Sequence, residues 1–343
     1  MSTNLFFQNV QDNRTTLSEL DRLYRSITAD QLFCLFAYAT MSGLHTFELN
    51  FGQDFWENVP TRWLFGVDYG RTQPAALRAI MNKPNAEVRI HDGEWICTQE
   101  GYVPRQDFHL KISYMISDNP LRYGVVAGSG NFSANGLTRS VEAGISCEVS
   151  GDCDGVTTLQ QGLDAANSLW EAATPILDII DQYDQGWRNS FARRPDGGPD
   201  IQIPGERNTF WIEAGYVTRN RGPLRPGNQI DLPRGMSHYF GIFPAADTPL
   251  NSVLGEIVFQ TPNGQVVERN LRLGNNSMEK ITLPIPETHG YQIYDGKIIV
   301  FQRNGGAFQL RALEIADFEA AYGDRLGPVM EMGSGRLYGH IEE

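Results

Sequence analysis

Residues 108–111 read FHLK, residues 125–136 read VVAGSGNFSANG, and residues 140–144 read SVEAG. His109 and Lys111 are two apart, so on an extended segment their side chains face the same way. Val125, Val126 and Ala127 predict a buried strand ending in a Gly-Ser-Gly turn that presents Asn131. An imidazole, an ammonium and an amide brought together are the groups needed to attack and stabilise a phosphate ester without a metal. Working outward, WLFGVDY (63–69) reads as a strand, QPAALRAIMN (73–82) as a helix and EVRIH (87–91) as a strand. That unit implies a parallel pair with a right-handed crossover. Residues 16–26 (TLSELDRLYRS) predict an amphipathic helix with a Thr or Ser cap. Strands follow at FHLKIS, VVAGSGN and about 142–149, then a long helix from about 156 to 187 with a kink at Pro175. The first part of the chain is therefore α/β.

At 343 residues the chain accommodates two domains, each with its own core. Its 41% hydrophobic and 20% charged content is that of globular protein. No apolar run approaches the roughly 20 residues of a membrane span. The N-terminus lacks the basic flank and apolar stretch of a signal peptide, so cytoplasmic residence is the expectation. Cys34, Cys97, Cys147 and Cys153 form no CxxC and have no histidine at ligand spacing, which predicts no structural zinc. The pair Cys147 and Cys153 reads as incidental thiols rather than a disulfide.

The net charge of −13 argues against a nucleic-acid partner until its distribution is read. Residues 1–186 carry 12 Lys and Arg against 23 Asp and Glu, and residues 207–343 carry 13 against 15. Within 218–234 stand Arg219, Arg221, Arg225 and Arg234 with one acid, Asp231. Local field decides where a phosphate backbone lands.

Residues 187–206 combine Pro, Gly and charge without apolar periodicity and read as a linker between domains 1–186 and 207–343. Beyond it, FWIEAGYV, QIDLP, YFGIF, GEIVFQT, GQVVERNLRL, EKITLPI, KIIVFQRN and FQLRALEI are short strands separated by turns, the pattern of an all-β barrel or sandwich. Only residues 317–322 look helical there. TRNRGPLRPGNQID (218–231) is rich in base-reading side chains: Arg suits guanine, Asn and Gln adenine, Asp cytosine. Arg219, Arg221, Arg225, Asn228, Gln229 and Asp231 are the candidates there. QRNGG (302–306) gives a second polar loop with Arg303 and Asn304, and the tail GSGRLYGHI (333–341) contributes Arg336 and Tyr338, so that two arms on one barrel face grip a major groove. The bland alternative is ordinary turn chemistry.

In the functional reading His109 attacks phosphorus and forms a phosphohistidine. Lys111 neutralises the non-bridging oxygens, Asn131 and Ser129 donate hydrogen bonds, and Glu142 orients an imidazole. HxK alone is a weak signal. HxK followed by a Gly-Ser-Gly-Asn turn at a strand end, inside an α/β unit, is specific.

FHLK, GSGNFSANG and EAG resemble the phospholipase D superfamily, whose repeat carries His-x-Lys and a later Gly-Ser-x-Asn. They are more similar still to the nuclease branch of BfiI-type metal-independent restriction endonucleases, where an HAK, SSGNFTGPG and IEAS series occurs. The resemblance runs through much of residues 60–150 and assigns His109, Lys111, Asn131 and Glu142, with Ser129 in support, to the active site. It implies a phospholipase D-like α/β fold and no metal. Two departures stand out. Ile116 occupies the place of the family's Asp, with Asp118 two residues on. The chain also has one such motif where double-repeat phospholipases have two, and His45, His91, His238, His289 and His340 sit in none comparable. A homodimer through the nuclease domain, with His109 of a second chain protonating the leaving oxygen, is the resulting expectation.

WIEAG, GNQIDLP and GRLYG are similar to the C-terminal domains of BfiI-like enzymes and, more closely, of the NgoAVII/CglI type. That resemblance implies a pseudobarrel of the plant B-three kind, double-stranded DNA as partner, and a site-specific, type II-like restriction endonuclease subunit. It also implies a separate helicase-like ATPase subunit, which would use ATP and Mg²⁺, and a companion methyltransferase. This chain has no GxxxxGK[ST] and needs no cofactor of its own. The rival readings are a phospholipid or other phosphodiester hydrolase and a non-catalytic DNA-binding regulator. A lipid enzyme would call for an apolar loop or a basic amphipathic helix, and neither is evident.

Overall fold

A computed structural model describes residues 2–8, 14–118, 120–150, 154–190, 207–222, 224–245, 247–274, 278–332 and 334–342. Contacts divide the chain into two units, Met1–Ser190 and Phe191–Glu343. Most of the expected linker, and Cys153, lie outside the described residues.

In the first unit the chain runs β1 (Ser2–Gln8), α1 (Thr16–Ile27), β2 (Gln31–Phe36), α2 (Met41–Phe51), α3 (Gln53–Asn58), β3 (Thr61–Phe65), α4 (Pro74–Met81) and β4 (Ala86–Ile90). It continues with α5 (Gly93–Ile96), β5 (Lys111–Asp118), β6 (Leu121–Gly128), α6 (Ala134–Thr138), β7 (Glu142–Ser150), α7 (Asp154–Ala172), β8 (Thr174–Pro175) and α8 (Ile176–Ser190). One eight-stranded sheet has the order β1-β7-β6-β5-β2-β3-β4-β8. β2, β3 and β4 are parallel and the other pairings antiparallel. The β3–α4–β4 unit is the expected parallel pair.

Strand residues alternate between two covered faces. Leu32, Cys34, Phe36, Trp63, Phe65 and Met115 meet α1, α2, α4 and α8 through Leu20, Phe47, Leu77 and Ile179. Phe33, Leu35, Leu64, Tyr114, Val125 and Val149 meet α7 through Leu163, Ala166 and Trp170. α1 starts at the cap Thr15, whose side chain accepts from Ser18 N while Ser18 Oγ accepts from Thr15 N, a reciprocal box. The long helix expected over 156–187 is two helices. Pro175 breaks it, and Thr174–Pro175 pairs antiparallel with Arg89–Ile90 instead. Cys34, Cys97 and Cys147 are free thiols.

In the second unit the strands are β9 (Thr209–Glu213), β10 (Gln229–Leu232), β11 (Val253–Gln260), β12 (Val266–Leu273), β13 (Glu279–Thr282), β14 (Ile298–Asn304), β15 (Ala307–Leu313), β16 (Leu326–Glu331) and β17 (Leu337–Ile341). Helices α9 (Pro286–His289) and α10 (Ile315–Tyr322) intervene. The nine-stranded sheet runs β10-β13-β12-β11-β15-β14-β9-β17-β16, and only β11 with β15 is parallel. Phe210 and Ile212 enter one core and Trp211 the other, so this sheet also buries both faces.

Two expectations are corrected. YFGIF is not a strand: Met236–Phe240 is a 3-10 turn between Gly235 and Gly241, both at positive φ. The buried Glu279 carboxylate holds it by accepting from Gly235 N at 2.9 Å and from Ser237 Oγ at 3.0 Å. The tail expected as an arm is strand β17, seated between β9 and β16. No described helix is long and apolar enough to cross a membrane.

Candidate active site

The expected catalytic residues gather where three strands turn. β5 begins at Lys111, β6 ends at Gly128 and β7 begins at Glu142. Ile112 lies opposite Ala127 and Gly128 opposite Gly144, so these ends share one edge of the sheet. Parallel β2, β3 and β4 end at that same edge, since Phe36 lies opposite Lys111 and Phe65 opposite Ile90. Ligands of α/β sheets bind at such an edge.

His109 is exposed, just ahead of β5. Lys111 Nζ donates to the His109 carbonyl at 2.8 Å, which folds the ammonium back against the residue carrying the imidazole. Lys111 is half-buried, and that burial lowers its pKa against the opposing pull of the Glu142 carboxylate. Ser129 Oγ donates to Glu142 Oε2 and accepts from Ala143 N at 3.1 Å, so Glu142 is held in place. Asn131 stands two residues on. Its side-chain oxygen is buried with no hydrogen-bond partner, an amide left open within the turn. The turn is built on close approach: a Cβ at Gly130 would meet Gly136 O at 2.3 Å, and one at Gly136 would meet Asn131 O at 2.4 Å. Only glycine fits at either position.

Asp118 lies at the far end of eight-residue β5, roughly 20 Å from Lys111 at about 3.3 Å per residue. There it accepts from Gln31 Nε2 at 2.9 Å. Glu142, at the start of β7, lies at the same edge as Lys111.

Two residues not singled out as site residues contact Phe108, the neighbour of His109. Buried Asp68 accepts from Phe108 N at 2.7 Å, one residue before His109. Burial raises the Asp68 pKa, with the Phe108 N–H opposing. The His91 ring stacks on Phe108, centres 4.7 Å apart and planes at 23°. Burial also lowers the His91 pKa, against the charges of Asp92 and Asp68. Asp68 and His91 fall within the stretches WLFGVDY and EVRIH that read as strands, but lie past the ends of β3 and β4.

No protein-family model matches the chain, and no curated protein does. Solved structures do. NucT from Helicobacter pylori is similar at 14% identity and a TM-score of 0.35, covering 51% of this chain and 98% of that one. Nuc from Salmonella typhimurium, a phospholipase D family member, is similar at 13% identity and the same TM-score and coverage. Yeast tyrosyl-DNA phosphodiesterase is similar at 14% identity and a TM-score of 0.31, covering 55% of this chain and 41% of that one. Among the described residues no group of three or more His, Cys, Asp and Glu could hold a metal ion.

In the second unit several expected DNA contacts are engaged internally. Arg336 donates to the carbonyls of Ala214 at 3.1 Å and Asp231 at 2.7 Å, and burial lowers its pKa. Tyr338 is buried in the core. Asn228 is buried, donating to Leu283 O at 2.7 Å and accepting from Asn220 Nδ2 at 2.9 Å. Arg221 forks onto both Glu287 oxygens, at 2.6 and 2.7 Å. Arg303 lies over the Tyr239 ring at 4.9 Å and donates to Tyr239 O. Gln229 reaches Thr282 Oγ1 at 3.2 Å, and Asp231 lies 3.4 Å from Lys280. Arg219, Arg225 and Asn304 have exposed side chains, Asn304 donating to Gln260.

Proposed function

We propose that this chain is a phosphodiesterase acting on DNA, with His109 as nucleophile. One observation carries the reading: His109, Lys111, Ser129 and Glu142 sit at a single strand edge, with the ammonium folded onto the nucleophile's own carbonyl. An imidazole nitrogen of His109 attacks phosphorus, the P–O bond to the leaving nucleoside breaks, and that oxygen takes a proton. Water then cleaves the P–N bond, releasing a phosphomonoester and free histidine. Lys111 stabilises the charge on the non-bridging oxygens in both steps.

The finer reading is a site-specific restriction endonuclease subunit. Its second unit is a B-three-like pseudobarrel that selects double-stranded DNA through Arg219, Arg225 and neighbouring loops. A helicase-like ATPase subunit and a companion methyltransferase belong to the same proposal.

A second copy of the chain supplies the missing proton donor. On the α7 face of the sheet, Ile112, Ala127, Ile145 and Leu5 form one cross-strand row. Leu5 is 64% and Ile145 42% exposed, with Phe7 and Val141 beside them also in solvent. This apolar strip borders the catalytic edge and suits an isologous contact.

The deciding experiment is cleavage of plasmid and phage DNA by wild type and H109A, in excess EDTA for the chain alone and with ATP and Mg²⁺ where the ATPase subunit is added. Fragments from wild type alone are expected. Cleavage by the chain alone that needs Mg²⁺, or any cleavage that survives H109A, would overturn the mechanism.

A further inference from the structure

The segments after β3 and β4 leave two large aromatic side chains in solvent, Tyr69 and, in α5, Trp95, near the residues that precede His109. Tyr69 is 48% exposed and Trp95 40%. β3 and β4 are parallel neighbours, so both segments emerge at the catalytic edge. Each aromatic is tied to the chain just upstream of the nucleophile. The Tyr69 hydroxyl donates to Asp107 Oδ1 at 3.1 Å. Arg105 lies 5.0 Å from the Trp95 ring centre and pairs with Asp92. On the other side, Arg71 lies 6.0 Å from the Tyr69 ring. Tyr69 and Asp92 both hold a left-handed backbone, at φ 54° and 51°. Such conformations are costly outside glycine and cluster at functional sites.

Two flat faces flanked by guanidinium groups, next to a phosphate-attacking imidazole, match the chemistry of a nucleotide. A base stacks on the ring while arginine meets the backbone. Within a duplex the base faces are covered by their neighbours, so only unpaired bases can use such a surface. We infer that Tyr69 and Trp95 form a stacking site for unpaired nucleobases flanking the scissile phosphate. The nuclease unit then takes DNA that is single-stranded or locally opened at the cut. This rests on the nuclease reading above and names its substrate.

Trp95 also provides the probe. Trp56, Trp63, Trp170 and Trp211 are buried, and Trp187 is half-buried with its Nε1 donating to Gly70 O. Full-length H109A is titrated with a short oligothymidylate, a matched duplex, and the same duplex carrying a mismatched bubble, while tryptophan emission is followed. The single strand and the bubble are expected to quench emission, the matched duplex is not, and W95F is expected to remove the signal. Y69A and W95A should each weaken oligothymidylate binding about tenfold, while Y69F, which keeps the ring, binds as H109A alone does. In chains retaining His109 the same losses appear as a raised KM on single strands with kcat kept. Equal quenching by the matched duplex, or unchanged affinity in Y69A and W95A, would overturn the inference. Aromatic variants that cut single strands like wild type in EDTA would remove the stacking site and leave the nuclease. Intact quenching with no cleavage by any form would remove the nuclease reading instead.

Discussion

Lys111 is the residue whose charge is most directly testable. Its pKa lies below the ordinary 10.5 because burial disfavours the ammonium. A lysine with a lowered pKa loses its proton at lower pH than an exposed one, so activity that needs the cation fails early on the alkaline side. The alkaline limb of kcat/KM is therefore expected below 10.5, measured on a short oligonucleotide. K111R stays charged throughout and should flatten that limb. K111A should lower kcat by about 100- to 1,000-fold, the cost of removing one group that stabilises transition-state charge. A limb unmoved by K111R would assign the titration elsewhere. At this scale the sequence was informative, because His109 and Lys111 sit two apart, and Glu142 opens a later strand that pairing brings to the same edge. It was silent on Asp68, whose hydrogen bond to Phe108 spans 40 positions and has no local signature. Nor does composition reveal that the Arg336 guanidinium is spent on main-chain carbonyls.

The turn between β6 and α6 depends on glycine more than on its polar residues. G130A places a methyl against the Gly136 carbonyl, and G136A places one against the Asn131 carbonyl. Each should cost about 1–3 kcal/mol of stability by overpacking. For a unit of this size that is roughly 2–4 °C in Tm per kcal/mol, readable by calorimetry. Cleavage should fall further than stability does, since the displaced carbonyl belongs to Asn131; a variant with unchanged Tm and rate would refute the close approach. The same scale shows where periodicity reading stopped. QLFCLF, strand β2, is buried on both faces and so has no alternation to announce it. YFGIF looked like a strand because aromatic and β-branched residues favour one, yet Glu279, distant in sequence, pulls its backbone into a turn. The tail GSGRLYGHI reads as an arm, yet Leu337–Ile341 pairs with β9 as a strand.

At the scale of the whole molecule, the single motif poses a chemical question that one chain leaves open. A nucleoside oxygen leaves poorly without a proton, whereas p-nitrophenolate leaves without one. If the second chain's His109 donates that proton, assembly and chemistry must fail together on DNA and come apart on an activated ester. The apolar row through Ile145 and Leu5 is where assembly can be attacked without touching the catalytic side chains. L5D with I145D should give a monomer by sedimentation equilibrium, with DNA cleavage reduced at least 100-fold, the contribution of a general acid. The same monomer should still release about one equivalent of nitrophenolate from bis(p-nitrophenyl) phosphate in a burst and trap phosphohistidine, because attack by His109 needs no partner. His91 is the competing donor: it lies in the same chain, beside Asp68 and Phe108. A monomer that cuts DNA at the wild-type rate, and loses that activity in H91N, would transfer the role to His91 and remove the dimer from the mechanism.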